Sequence, residues 1–122
     1  KALEYIEEIG WYEVIDEYDR ELIRYTLEKI KEVPELHLVW WTNLDSRIWV
    51  FSFYLDNFHS LDVSQTLAEK NICVRAGQHC AEPFALRIWI SSTFRMSLYI
   101  YNTIEDIDLF FESIKEIIQK KY

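Results

Sequence analysis

The chain has 122 residues, half of them apolar, and a formal net charge of −8 at pH 7. That length fits one domain with a real core. The acidic balance argues against nucleic acid and against an anionic membrane surface, both of which select clustered lysine and arginine.

No apolar run reaches the length of a membrane span, and no signal peptide is visible. Two cysteines seven residues apart do not resemble a secreted disulfide framework, so a cytoplasmic protein is expected. Aromatic residues make up 16% of the chain, five of them tryptophan. Part of that aromatic surface is expected to be covered by a partner or another domain.

Residues Ala2 to Ile9 open in helical register without a cap, and Gly10 suits the position that ends such a helix. A longer helix is predicted from Tyr12 to Val33, where Ile15, Leu22, Ile23, Leu27, Ile30 and Val33 recur near helical spacing and Pro34 stops them. Leu36 to Trp41 and Arg47 to Leu55 then read as two strands of a hairpin around the turn Asn43-Leu44-Asp45-Ser46. In the second strand Trp49, Phe51, Phe53 and Leu55 share one face, opposite Ile48, Val50 and Tyr54. Both faces are largely apolar, the pattern of a central strand covered on each side.

Ser60 is placed to cap a helix over Leu61 to Lys70, with Asp62 favourable to its dipole. Asn71 to Arg75 reads as a short strand. Arg95 to Tyr101 alternates, with Met96, Leu98 and Ile100 on one side. Thr103 caps a last amphipathic helix that is acidic at its start and basic at its end. The whole reads as α+β, a small and mostly antiparallel sheet with helices packed on one face.

The densest chemistry lies in Arg75-Ala76-Gly77-Gln78-His79-Cys80-Ala81-Glu82-Pro83. This run gathers one of two glycines, one of two prolines, one of two cysteines and one of three histidines. Glycine permits backbone angles that other residues avoid and proline fixes its own, so a purposeful loop is expected. A cysteine there, beside an imidazole and a guanidinium, is a candidate reactive thiol, since positive charge favours the thiolate. The competing reading is a buried cysteine in an ordinary turn.

That run, followed by Phe94-Arg95-Met96-Ser97 and then Tyr101-Asn102-Thr103 with Glu105 and Asp106, resembles the C-terminal part of SUF-type (group II) cysteine desulfurases. These belong to the class V aminotransferase family. The resemblance spans the whole chain and is tightest from Leu67 to Asp108. It implies the small domain of a fold-type I enzyme that depends on pyridoxal 5'-phosphate. Such enzymes convert L-cysteine to L-alanine and hold the sulfur as a persulfide for iron–sulfur cluster assembly.

The resemblance assigns Cys80 as the persulfide-forming nucleophile, attacking the sulfur of a cofactor-bound substrate cysteine. It assigns Arg95 to the substrate α-carboxylate, which a planar guanidinium can grip through two parallel hydrogen bonds. Arg75 matches an arginine at the base of the loop and is read as positioning it. Gly77 is a backbone requirement. Gln78 and His79 sit in the loop, and His79 reads as an exposed histidine with a proton-transfer role as the alternative. Cys73 is expected in the core. A zinc site from Cys73, His79 and Cys80 lacks a usual spacing and a fourth ligand. His37 and His59 have no partner pattern, and Trp40-Trp41 is assigned to packing.

Lys1, Lys29, Lys31, Lys70, Lys115, Lys120 and Lys121 all fall on helices or at chain ends, outside any cofactor motif. The Schiff-base lysine is therefore expected in a large domain preceding this segment, leaving residues 1–122 as the small domain and the isolated chain inactive. Expected partners are L-cysteine, a sulfur-acceptor or scaffold protein, the large domain, and a second copy in a homodimer. Between Pro83 and Thr93 relatives carry a short leucine-rich helix ending in leucine and glycine. Here Phe84 to Ser92 holds no glycine, which makes the local loop conformation an open question. The alternatives are a related class V lyase, such as selenocysteine lyase, and a non-catalytic interaction domain.

Overall fold

In the computed structural model residues 1–39, 42–44 and 47–120 are described. The elements run α1 (Ala2–Glu8), α2 (Trp11–Ile30), β1 (Leu36–Leu38), β2 (Val50–Leu55), α3 (Ser60–Ala68), β3 (Arg75–Gly77), α4 (Glu82–Arg87), β4 (Thr93–Ser97) and α5 (Ile104–Gln119). The strands form one sheet in the order β1-β2-β4-β3, with every neighbouring pair antiparallel. The α+β expectation is met. Trp40-Trp41 and the Asp45-Ser46 half of the predicted turn lie outside the described residues.

Cross-strand register sorts the side chains. Phe53 pairs with Leu38 and Phe94, and Phe51 pairs with Met96. These residues share the face that α2, α3 and α5 cover, joined by Leu22, Leu67, Phe110, Phe111 and Ile114. Phe51, Phe53 and Phe94 are fully buried. Phe53 sits 5.9 Å from Phe94 and 5.8 Å from Phe110 between ring centroids. Burying each ring contributes about 2 kcal/mol, so this aromatic stack is the main glue between sheet and helices.

The opposite face departs from expectation. Val50, Ser52 and Tyr54 are only half-buried, so β2 is central but only partly covered on its second side among the described residues. Helix α4 comes over part of that face. A cavity of about 140 Å³ lies between it and the sheet, lined by Val39, Ser52, His79, Phe84, Ile88 and Thr93 among others.

Several boundaries shift for local reasons. His59, not Ser60, caps α3, its Nδ1 accepting from the Leu61 amide at 3.3 Å. Ser60 is the first helical residue, buried, and its hydroxyl donates to Ser92 Oγ at 2.7 Å. The predicted strand at 71–75 starts only at Arg75, because Asn71 takes a left-handed φ of 61° and ends α3. Asparagine tolerates that region better than most residues. The last strand begins at Thr93 and stops at Ser97, where the turn Tyr99–Asn102 takes over, its Asn102 amide donating to Tyr99 O at 2.8 Å. Thr103 caps α5 as expected, and Asp106 Oδ2 accepts from its amide at 3.1 Å.

Candidate functional site

Strand β3 runs directly into a tight turn, closed by the Ala81 amide donating to Gln78 O at 2.9 Å. Both central residues have positive φ, His79 at 57° and Cys80 at 62°. That sign pattern belongs to type I′ turns, which normally use asparagine and glycine. Holding two side-chain-bearing residues there costs on the order of 1 kcal/mol or more each. Gly77 precedes them at φ 125°, and a Cβ at that position would meet nothing within 4 Å, so backbone angle rather than space calls for glycine. The outcome is Cys80 exposed at the tip of a strained turn.

Arg95 lies on β4 with its Cα opposite Ser52 on one side and Arg75 on the other. All three therefore share the face away from the core. Arg95 is half-buried, and its Nε is buried without a hydrogen-bond partner. Neither arginine forms an ion pair among the described residues. From Asn71 to Tyr101 the sole acidic residue is Glu82, against Arg75, Arg87 and Arg95. Within an acidic chain, Arg75 and Arg95 thus put two positive charges side by side on this face.

His79 links the turn to this face. Burial first, then the charges of Arg95 and Arg75, pull its pKa below the usual 6.5. The residue next to Cys80 is therefore within electrostatic reach of both guanidinium groups. His79 is half-buried rather than an exposed loop histidine, with Nε2 2.9 Å from Thr93 Oγ1. Gln78 Nε2 donates to Ser91 O at 3.4 Å.

Other expectations change. Cys73 is exposed rather than in the core, because it sits in the irregular stretch leading into an edge strand. His37 does have partners: its Nε2 is 2.8 Å from Asp56 Oδ2, and its ring stacks on Tyr54 at 4.6 Å. No three His, Cys, Asp or Glu residues come together as a metal site among the described residues. The stretch without glycine still folds as helix α4. Its end makes paired bonds from Trp89 N to Leu86 O and Ile90 N to Ala85 O, with Trp89 itself in the left-handed region at φ 58°. Tryptophan stands where such an ending favours glycine, and 93% of it is exposed. Thr93 carried no signal in the sequence; only the β3–β4 register brings it to His79.

The family model for class-V aminotransferases matches residues 1–110. The chain belongs to that family. A probable cysteine desulfurase of Streptomyces coelicolor is 34% identical over 116 residues, covering 95% of this chain and 28% of the relative. One from Staphylococcus aureus strain Mu50 is 36% identical over the same span. The chain thus matches little more than a quarter of these relatives' length.

Among solved structures, the apo cysteine desulfurase of Thermococcus onnurineus NA1 superposes with a TM-score of 0.89 at 32% identity, covering 96% of this chain and 29% of that one. CsdA from Escherichia coli shares the fold, with a TM-score of 0.77 at 23% identity.

Class-V enzymes use pyridoxal phosphate, and the residues here do not fit that group by themselves. Lys29 on α2 pairs with Asp108 at 2.8 Å, Lys115 on α5 with Glu32 at 2.8 Å, and Lys70, just past the end of α3, with Glu116. Among the described residues no lysine stands on the face of Arg95. No helix among them is long and apolar enough to cross a membrane.

Proposed function

We propose that this chain is the small C-terminal domain of a SUF-type cysteine desulfurase, with Cys80 as sulfur acceptor and Arg95 as the clamp on the substrate α-carboxylate. What supports this reading is an exposed Cys80 on the turn leaving β3, together with an Arg95 on the paired strand β4 whose buried Nε has no hydrogen-bond partner. The Cys80 thiolate forms a bond to the substrate sulfur as the substrate's carbon–sulfur bond breaks. The electron pair stays with the carbon fragment, which gains a proton and leaves as L-alanine. Cys80 keeps the sulfur as a persulfide for iron–sulfur cluster assembly.

Arg75, Gly77 and His79 position the loop. Pyridoxal phosphate supplies the electron sink, and the lysine that binds it belongs to a large domain outside residues 1–122. A cytoplasmic homodimer that hands sulfur to an acceptor or scaffold protein completes the reading.

The test mixes this chain with cysteine, pyridoxal phosphate and the large domain of the Streptomyces relative. Mass spectrometry should find one added sulfur on the Cys80 peptide, lost in Cys80→Ser, while Arg95→Lys should raise the KM for cysteine at least tenfold. Alanine formation without sulfur on Cys80 would overturn the assignment and favour a lyase. An inert Cys80 would favour an interaction domain. The chain alone should give no aldimine absorbance band with the cofactor; a stable one bleached by borohydride would refute the missing-lysine reading.

A further inference from the structure

We infer that Thr93 and His79 form a latch that fixes the Cys80 turn in register with Arg95, with the imidazole held as its Nε2–H tautomer. The inference rests on the desulfurase reading only for the identity of the turn's cargo. Its geometry stands apart from that reading.

Thr93 is buried at the start of β4, and its Oγ1 lies 2.9 Å from His79 Nε2 and 3.4 Å from Gly77 O. A hydroxyl has one proton, and the Gly77 carbonyl can only accept it. When that proton goes to Gly77 O, Thr93 Oγ1 faces the imidazole with a lone pair and Nε2 carries the hydrogen. That leaves Nδ1 bare, and Nδ1 is buried with no hydrogen-bond partner. Burial first, then the charges of Arg95 and Arg75, disfavour a second proton on the ring.

The latch acts on position. Cys80 Sγ makes no hydrogen bond among the described residues, so His79 is not set to take the thiol proton. What it does is tie the turn to β4. Thr93 and Arg95 are two apart on that strand and therefore share a face. One strand thus carries both the anchor of the cysteine turn and the guanidinium. The 16-residue separation of Gly77 and Thr93 is bridged by the β3–β4 register and by this hydroxyl together. Without the latch, two strained positive-φ residues would be held by the bond from Ala81 N to Gln78 O and the longer one from Gln78 Nε2 to Ser91 O.

The test uses this chain carrying Cys73→Ser, so that Cys80 is the one thiol, and follows hydrogen exchange at the Ala81 amide together with the alkylation rate of Cys80. His79→Ala and Thr93→Val should each speed Ala81 exchange by roughly tenfold, and the double variant should do no more than either alone. His79→Gln, which keeps an N–H donor at the same reach, and Thr93→Ser should restore slow exchange. Two-bond nitrogen–proton NMR correlations should report an Nε2–H imidazole with Nδ1 unprotonated. Additive effects, unchanged exchange in His79→Ala, or an Nδ1–H tautomer would overturn the latch. Because none of these readouts involves sulfur transfer, the latch and the desulfurase assignment can fail independently.

Discussion

Arg75 and Arg95 stand directly opposite each other across the β3–β4 pair, two like charges abreast on one sheet face. Cross-strand like charges destabilise a sheet, so the uncombined chain carries a repulsion that a bound carboxylate would relieve. Arg75→Gln should therefore raise stability by about 0.5 kcal/mol in low salt. The gain should vanish near 1 M salt, where the screening length falls to about 3 Å. Urea denaturation at the two ionic strengths reads this, and a gain that ignores salt would mean repulsion is not its source.

The depressed pKa of His79 has a definite sign. Burial, with Arg95 and Arg75 adding to it, lowers the folded value below 6.5, so the native chain binds fewer protons here than the unfolded chain as the solution turns acidic. The stability linked to this residue is present above that value and is lost as pH falls through the folded one. The advantage of the native chain over His79→Gln should shrink between about pH 7 and pH 5. Denaturant midpoints measured at each pH would show it, and parallel curves would contradict it.

Asp19 on α2 is 3% exposed, and its Oδ1 has no hydrogen-bond partner. Burial first, then the neighbouring Asp16, raises its pKa above the ordinary 3.8. A raised carboxyl stabilises the fold while protonated and loses that contribution as pH rises through the folded value. Asp19→Asn should therefore be more stable by about 1 kcal/mol at neutral pH, with the difference fading under acid. Thermal unfolding at pH 7 and near pH 3 separates this from a simple packing change, which would not depend on pH.

Trp89 combines a left-handed backbone with near-complete exposure. Replacing it removes little packing, so the backbone should dominate. Trp89→Gly should gain about 1 kcal/mol, whereas Trp89→Ala, which keeps a Cβ in the same region, should gain little. Equal gains in the two variants would point to solvation of the indole instead.

Local signals in the sequence carried far. Helical spacing with Pro34 and Thr103 placed α2 and α5 to within a few residues, and alternating apolar residues found the β1–β2 hairpin. Cys80 and Arg95 stood out as candidates through their motif. The facing of Arg75 against Arg95 was not, because register between strands separated by α4 is a long-range choice that no local pattern encodes. The same holds for Thr93 against His79. His59 displaced Ser60 as a cap because the serine hydroxyl is engaged by Ser92, again a partner far along the chain. Cys73 was misplaced because an edge strand exposes residues whose apolar character suggests burial.

Strand β3 has a single strand neighbour, β4, which follows it in the chain after α4. On the ribosome, β1 and β2 can pair as soon as they emerge. Arg75 to Cys80 must wait until Thr93 to Ser97 have also been made. The nascent polypeptide thus presents its thiol before the hydroxyl and the guanidinium of β4 exist, and the turn that carries it gains its geometry only when that later strand docks.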